Sequence, residues 1–496
     1  MPTPPRRGGF WLAFAPVLCL IALLISSVTL FGDDATGGPS QVALMLAGFI
    51  AAGFALLSGA RWSELEHQVL RSTGYVTQAI LILLLVGGLI GTWILGGIVP
   101  TLIVWGLRML SPEVFLAAAT IISALVSLAT GSSWSTAGTL GLALIGIGDT
   151  MQIDRAMSAG AVISGAYFGD KMSPFSETTN LASSMVGVDL FAHIRHMLYT
   201  TVPGISITVL IFLGIGFFGD ATTGYNPERI DSVIAGINGV FDTSPVMLLP
   251  PVILFILVAR RMPAIPALMA GLLLGVIFAV IFQPTAVSAF VTPVDAPASS
   301  PVSFSEESLR AAGLAAATGY VARTGVADVD ALLTRGGMSS MLTTIWLILS
   351  AMFFSGIMEG SGFLQRIAAG VLRFARGAGH LVAASLGTAV FLNFTASDQY
   401  LSIVVTGRMY KDAFAREGLA HENLSRTLED SGTLTSPLVP WNTCGAFMSS
   451  TLGVPTIEYL PFAFLNWIVP LISLAYGYTG YSITRVPAAE SETQNE

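Results

Sequence analysis

The chain is most constrained by its apolar runs, each long enough to cross a bilayer, which recur from Phe10 almost to the C-terminus. Charged residues make up 10% of it, against about 25% in a soluble globular chain, and mean hydropathy is +0.75. No water-soluble fold could cover that much apolar surface. A closed β-barrel would need short alternating segments instead. The reading is an all-α, polytopic membrane protein with about 11–14 transmembrane segments.

Composition also excludes functions. The net charge of −8 sits mostly in loops and tails, and no nucleic-acid partner is indicated. Cys19 and Cys444 have no metal-ligand spacing. No Gly-Lys-Ser/Thr phosphate loop is present, which argues against an ATP-driven pump. No nucleophile or metal constellation supports an enzyme, and no cofactor is implied. The His193 and His196 pair reads as an interfacial helix face rather than a metal site.

The expected organisation has six parts. Residues 1–74 hold two helices and a cytoplasmic link, with charged residues at 61–71. Residues 75–218 and 341–481 form two transport units. Between them lie a loop and helix pair (219–283) and a linker outside the cytoplasm (284–340), with a surface helix near 305–320. A polar tail closes the chain (482–496).

Four polar breaks interrupt the apolar pattern: 130–136, 170–180, 393–399 and 429–443. The second lies in 165–180, where Gly169 and Pro174 should stop a helix amid Asp170, Lys171 and Glu177. A charge in a bilayer costs at least about 2.5–3.5 kcal/mol. Such a segment lines a wet cavity and holds an ion, or lies outside the membrane.

The breaks recur in order. Gly88 matches Gly356, Thr130 matches Thr395, Ser173-Pro174 matches Ser436-Pro437, Gly187-Val188 matches Gly453-Val454, and Val202-Pro203 matches Val469-Pro470. The offsets are nearly constant, which predicts a duplication. Arg61, Arg71, Arg260, Arg261, Arg408, Lys411 and Arg416 all fall on the cytoplasmic side only if the copies are inverted. Inverted repeats with interrupted helices or re-entrant hairpins are a recurrent plan of secondary transporters, with the site at the midplane.

If the breaks meet there, they assemble a hard-oxygen site suited to a small hard cation. The expected cation- or proton-binding groups are Asp170, Glu177, Asp398 and Asp430, with Asp170, Glu177 and Asp398 as the Na⁺ ligands. Supporting oxygens are expected from Thr130, Ser132, Ser173, Ser176, Thr178, Thr179, Asn180, Asn393, Thr395, Ser436, Asn442 and Thr443. Proton and cation would compete for the carboxylates, and opposite occupancy in two conformations gives exchange. Plainer readings stand beside these. Lys171 would neutralise Asp170, Glu429 would belong to a surface helix, Glu359 would be interfacial, and Trp134 and Trp441 would be packing residues.

Residues 165–174, Gly-Ala-Tyr-Phe-Gly-Asp-Lys-Met-Ser-Pro, continuing through Thr178-Thr179-Asn180-Leu181-Ala182, resemble the NhaC family of sodium/proton antiporters. So do Asp189-Leu190-Phe191 with His193 and His196, and Ser436-Pro437-Leu438-Val439-Pro440-Trp441-Asn442-Thr443. Glu177 stands where the family pattern carries an aspartate. The resemblance implies an Na⁺/H⁺ exchanger in the bacterial inner membrane; the chain is expected to be multi-pass and in contact with lipid, with a homodimer as one assembly. It also leaves open a malate/lactate-type organic-acid exchanger coupled to Na⁺ or H⁺. An organic anion would need fixed positive charge, and Lys171 is the only lysine in either central motif.

Overall fold

The computed structural model describes residues 9–486 apart from 32–34, 36, 220–225, 261, 292–303, 374 and 376. Readings placed on Arg6, Arg7 and Arg261, on much of the 32–40 turn, on the Pro-Ala-Ser stretch 292–303 and on most of the tail therefore lie outside the described residues. Among the described residues the chain is helical, with two isolated β-bridges and no strand. Eight helices are long and apolar enough to cross a membrane, or up to ten if two bent pairs count as spans.

Helices α1 (Phe10–Phe31) and α2 (Pro39–Leu57) pair at the N-terminus. Helix α3 (Trp62–Leu95) is continuous, so the charged stretch expected as a link is its first turns. At 1.5 Å per residue it is about 50 Å long, more than a bilayer's apolar core. Helix α4 (Ile98–Met109) follows a left-handed Gly97.

Next comes a hairpin. Helix α5 (Pro112–Thr130) stops at Gly131, whose φ of 71° suits glycine. Helix α6 (Ser133–Thr136) then runs through a π-helical turn, Ala137–Gly141, into α7 (Leu142–Thr150). A Cβ on Gly148 would sit 3.1 Å from the Phe115 ring, so the arms start and finish at the same end.

Helices α8 (Arg155–Met172) and α9 (Glu177–Val186) form one broken span, and α10 (Leu190–Phe218) returns. Pro174 lies in the break as expected, whereas Gly169 sits inside α8 and does not end it. Its role is close packing: a Cβ there would lie 2.3 Å from the Leu128 amide nitrogen of α5. Gly165 does the same against the Thr120 carbonyl, at 2.1 Å. Ser127 Oγ donates to the Ala166 carbonyl (2.5 Å) and Thr120 Oγ1 to the Ala161 carbonyl (3.2 Å). Small residues and hydroxyls are how helices pack in lipid, where the hydrophobic effect no longer drives association.

The middle of the chain holds α11 (Pro227–Val240), α12 (Leu249–Ala259), α13 (Ala264–Phe282), α14 (Pro284–Val291), α15 (Phe304–Thr318) and α16 (Ala327–Leu333). The polar loop expected at 219–242 thus contains a helix. Helix α15 keeps an exposed face, with Leu309 and Arg310 outward, while Ala311 and Ala315 are fully buried and Gly91 of α3 packs on the Ala315 carbonyl.

The second half comprises α17 (Leu342–Gly360), α18 (Phe363–Leu372), α19 (Gly377–Thr395), α20 (Gln399–Arg416), α21 (His421–Leu428), α22 (Thr443–Leu452), α23 (Thr456–Tyr459) and α24 (Phe464–Thr479). Helices α19 and α20 make the second hairpin. Ser402 Oγ donates to the Ala389 carbonyl (2.7 Å), and the Thr388 and Tyr410 hydroxyls meet at 2.8 Å. Its turn is at Ser397, a non-glycine residue at φ 58°. A turn divides α20 from α21, where one charged helix was expected. Helix α21 runs through a π-helical turn, Glu429–Thr433, to a break before α22, making the second broken span.

The spans run in opposite directions. A Cβ on Gly453, after α22, would meet Arg335 and Arg155, and Arg155 starts α8. Gly187, after α9, lies 3.4 Å by the same measure from Lys411 Nζ of α20, which precedes α21. The inversion expected from charge placement is therefore built into the fold.

The structural frame of the repeat differs from four of the five residue matches, Val202-Pro203 with Val469-Pro470 among them. Gly131 corresponds to Ser397 (397 − 131 = 266), each left-handed at its hairpin tip. At the same offset Ser132 corresponds to Asp398, Ser176 to Asn442, and Gly187 to Gly453; the first four are side-chain N-caps and the last two left-handed C-caps. In that frame Pro174 pairs with Pro440, not Pro437. Thr130 pairs with Ala396 and Gly88 with Phe354, so those identities are out of frame. Cap and turn roles are repeated where residue identity is not.

Candidate functional site

Each hairpin tip meets a broken span. Asp170, in the last turn of α8, is buried. Its Oδ2 accepts from the Ser133 amide (3.2 Å) and the Ser133 hydroxyl (2.6 Å) at the start of α6. Its Oδ1 accepts from Ser176 Oγ at 2.6 Å. Ser176 caps α9 and lies 3.0 Å from Thr178 Oγ1. Thr179 Oγ1 donates to the carbonyls of Asp170 and Lys171 in the last turn of α8.

Asp398 lies on the second tip itself, at the place of Ser132 in the first, and is also buried. It caps α20, with Oδ1 accepting from the amides of Tyr400 (2.9 Å) and Leu401 (3.1 Å). Thr443 Oγ1, at the start of α22, donates to Asp398 Oδ2 at 3.2 Å, and the Thr443 amide donates to the Ser397 carbonyl. A carboxylate at a helix N-terminus is favoured by the helix dipole as well as by its amides.

Glu177 is exposed, yet it ties the halves together. Its Oε2 accepts from the Tyr400 hydroxyl at 2.8 Å, while the Tyr400 amide bonds Asp398. Asp170, Ser176, Glu177, Tyr400 and Asp398 thus form one continuous chain of contacts across the two repeats. Trp134 stacks on Phe447 with ring centroids 4.2 Å apart, and Trp441 Nε1 donates to the Phe394 carbonyl at 2.8 Å. Both are packing residues, as expected.

The other expected supports serve the tips and breaks. Ser132 caps α6 by accepting from the Ser135 amide, and Ser173 Oγ accepts from the Phe175 amide. Thr130 Oγ1 approaches the Ser127 and Ser132 carbonyls, and Thr395 Oγ1 donates to the Phe391 carbonyl. Exposed Asn180 donates to the carbonyls of Pro174 and Ser176. Asn393 donates to the Gly432 carbonyl and to Thr435, and its own carbonyl accepts from Asn442. Ser436 donates to Gln399, repeating the Asp170–Ser133 contact of the first half.

Asp430 occupies a different cluster. It is fully buried and accepts from Lys171 Nζ and from Thr200 Oγ1 (3.0 Å) of α10. Lys171 also donates to Thr201 Oγ1 at 2.8 Å, and Arg426, fully buried, lies 3.9 Å from Asp430. Lys171 therefore pairs with Asp430 rather than with Asp170, correcting the expected neutral pair. Glu429 is fully buried rather than on a surface helix, and His193 and His196 are buried rather than interfacial. Glu359 receives a hydrogen bond from Ser72.

Sequence reasoning did not single out Ser133, Tyr400, Thr200, Thr201 or Arg426. Ser133 follows a capping serine, so its amide was bound to be free of helical partners, a signal present in the sequence. Tyr400 gave no such signal, because its partner lies in the other repeat. Among the described residues no three His, Cys, Asp or Glu side chains converge on a metal site. A cation at the tips would be held by single carboxylates with hydroxyls and carbonyls, the donor set of a weakly bound hard ion.

Two mirrored hairpins whose tips meet the breaks of two opposed spans at buried carboxylates, Asp170 on the first span and Asp398 on the second tip, define a secondary transporter of the inverted-repeat class. The chain belongs to the Na⁺/H⁺ antiporter family, whose model matches residues 165–481. It is 37% identical over 476 residues to the Na(+)/H(+) antiporter NhaC of Alkalihalophilus pseudofirmus, covering 96% of each chain. It is 36% identical over 464 residues to the malate-2H(+)/Na(+)-lactate antiporter of Bacillus subtilis, covering 94% of this chain and 93% of that one. The arginine/ornithine antiporter ArcD of Halobacterium salinarum is 33% identical over 501 residues, covering 99% and 96%. The kinship expected from the two central motifs holds along the whole chain.

Proposed function

We infer that this protein exchanges Na⁺ for H⁺ across the bacterial cytoplasmic membrane, with Asp170, Glu177 and Asp398 as the groups that hold the two ions in turn. Ser133, Ser176, Thr178 and Thr443 supply neutral oxygens around them. The observation that carries the reading is the convergence of both hairpin tips on buried carboxylates joined through Glu177 and Tyr400. Cation binding favours ionised carboxylates and proton binding removes the charge, so the two compete for one site. Asp430 acts in this reading as the counter-charge of Lys171 rather than as a carrier. The transported ions are the only cofactors required, lipid is the surrounding partner, and the protein is a transporter rather than an enzyme. A homodimer is the assembly to test.

The test is an imposed Na⁺ gradient across proteoliposomes with a pH-sensitive dye inside. Wild-type protein should move protons in response. Asp170→Asn should assemble normally and abolish the coupled flux; an unchanged response would remove Asp170 from the mechanism.

The second reading is organic-acid exchange, favoured by the malate/lactate relative. Lys171 no longer supports it, because its ammonium is held by Asp430 and Thr201. Fixed positive charge must come from elsewhere.

A further inference from the structure

A cavity of about 440 Å³ lies where α8 begins and α22 ends, away from the carboxylate site. Arg155, Arg335, Thr318, Thr334, Ser340 and Ser450 line it. Its walls also include Ile90 of α3 and Leu142 of α7, both buried. The cavity is thus set between central elements rather than on the lipid-facing perimeter.

Arg335 is firmly placed. Its backbone pairs with Tyr320 in both directions (3.0 and 3.1 Å). The two glycines that follow, at φ 90° and 86°, lock the strap onto α3, where the Gly337 amide donates to the Gly87 carbonyl at 2.7 Å. A Cβ on Gly336 would lie 2.5 Å from the Gly91 amide nitrogen, so no larger residue fits. Arg155 is fixed at its backbone as the first residue of α8.

Asp149 lies between the two guanidinium groups, 3.3 Å from Arg155 Nε and 3.9 Å from Arg335. One carboxylate engages one nitrogen of each arginine. Among the described residues the other guanidinium nitrogens have no side-chain acceptor, and the charged side chains in the cavity wall are both positive.

We propose that this cavity is a binding site for a small carboxylate anion, held by Arg155 and Arg335 and by the Thr334 hydroxyl, which accepts from the Ala322 amide and keeps its proton free, while Thr318 and Ser340, which donate to the Leu314 and Gly337 carbonyls, remain acceptors for a ligand hydroxyl. Guanidinium groups present paired donors matched to a carboxylate, and flanking hydroxyls suit a hydroxy acid or dicarboxylate. Ser450 lies seven residues along α22 from Thr443, which bonds Asp398; at 1.5 Å per residue that is about 10 Å. This inference goes beyond cation–proton exchange and does not depend on it.

The experiment uses full-length protein in lipid nanodiscs, with calorimetric titration of L-malate and, separately, of L-lactate. Wild-type protein should bind at least one of them saturably. Arg335→Gln and Arg155→Gln should each weaken binding about tenfold or more, with Arg335→Lys intermediate. Both Gln variants should keep the thermal melting temperature, and any Na⁺-driven proton flux, of the wild type. Absence of saturable binding by wild type, or equal affinity in the Gln variants, overturns the proposal. So does malate binding that is lost when phosphatidylglycerol is added to neutral nanodiscs, because the cavity would then hold a lipid headgroup. Should Arg335→Gln fail to assemble, Arg155→Gln, whose side chain is 43% exposed, decides the matter alone. Loss of Na⁺-driven proton flux in wild type with arginine-dependent malate binding would sink the exchange reading and leave this one standing.

Discussion

The Tyr400 hydroxyl donates to Glu177 Oε2 at 2.8 Å across the boundary between the two repeats. Tyr400 also presents its amide to Asp398, so one residue joins the carboxylate of the first break to that of the second tip. Any motion that separates α9 from the second tip must break this contact. Glu177 is accessible while Asp170 and Asp398 are buried, which makes the pair the outermost member of the site.

Replacing Tyr400 by Phe removes that hydrogen bond and little else. A bond to a charged acceptor contributes about 1.5–3 kcal/mol. The expected result is a roughly tenfold or larger change in the Na⁺ concentration for half-maximal proton flux, with melting temperature nearly unchanged. Dose–response curves in proteoliposomes check it.

Glu177→Gln should fold and lose coupled exchange, because the amide cannot alternate between a proton and a cation. Sodium-dependent proton movement at the wild-type level would remove Glu177 from the mechanism.

Lys171 and Asp430 make the opposite prediction, one of stability. Removing one partner of a buried pair leaves an uncompensated charge, at about 3–5 kcal/mol. Lys171→Met and Asp430→Asn should each lower the melting temperature in detergent sharply. Because Arg426 also faces Asp430, apolar replacement must take all three, and Lys171→Met/Arg426→Met/Asp430→Leu should recover part of the loss. Full stability in the single variants would show that the pair is not structural.

Gly165→Ala places a methyl 2.1 Å from the Thr120 carbonyl oxygen. Overpacking of this kind costs about 1–3 kcal/mol and here pushes α5 away from α8. Because α5 carries the tip that brings Ser133 to Asp170, Na⁺ affinity should fall together with stability. A melt and a flux assay on the same preparation test the coupling; loss of one without the other would break it.

Much of this architecture is legible in the chain. The apolar runs announce the membrane, the polar stretch 130–136 and Pro174 announce two of the breaks, though Gly169 does not, and lysine and arginine placement announces the inversion. Those signals act over a few residues or follow from bulk composition. The repeat frame was harder to read. Identity picked Pro437 as the partner of Pro174, whereas the fold pairs Pro174 with Pro440. Backbone sign and capping role constrain a tip, and glycine, serine, aspartate and asparagine can exchange in those roles. Ser132 and Asp398 do so here, leaving a carboxylate at one tip and a hydroxyl at the other.

The sequence by itself determined that helices would cross a bilayer, where they would break, and that carboxylates would lie at the breaks. Helix-breaking and hydrophobic burial are properties of a residue and its near neighbours. Only the tertiary structure decided which charge meets which. Lys171 finds Asp430, 259 positions away, and Glu177 finds Tyr400, 223 away, while neighbouring Asp170 turns to Ser133. A buried charge takes the partner that packing delivers to it, and that delivery depends on the path of the whole chain.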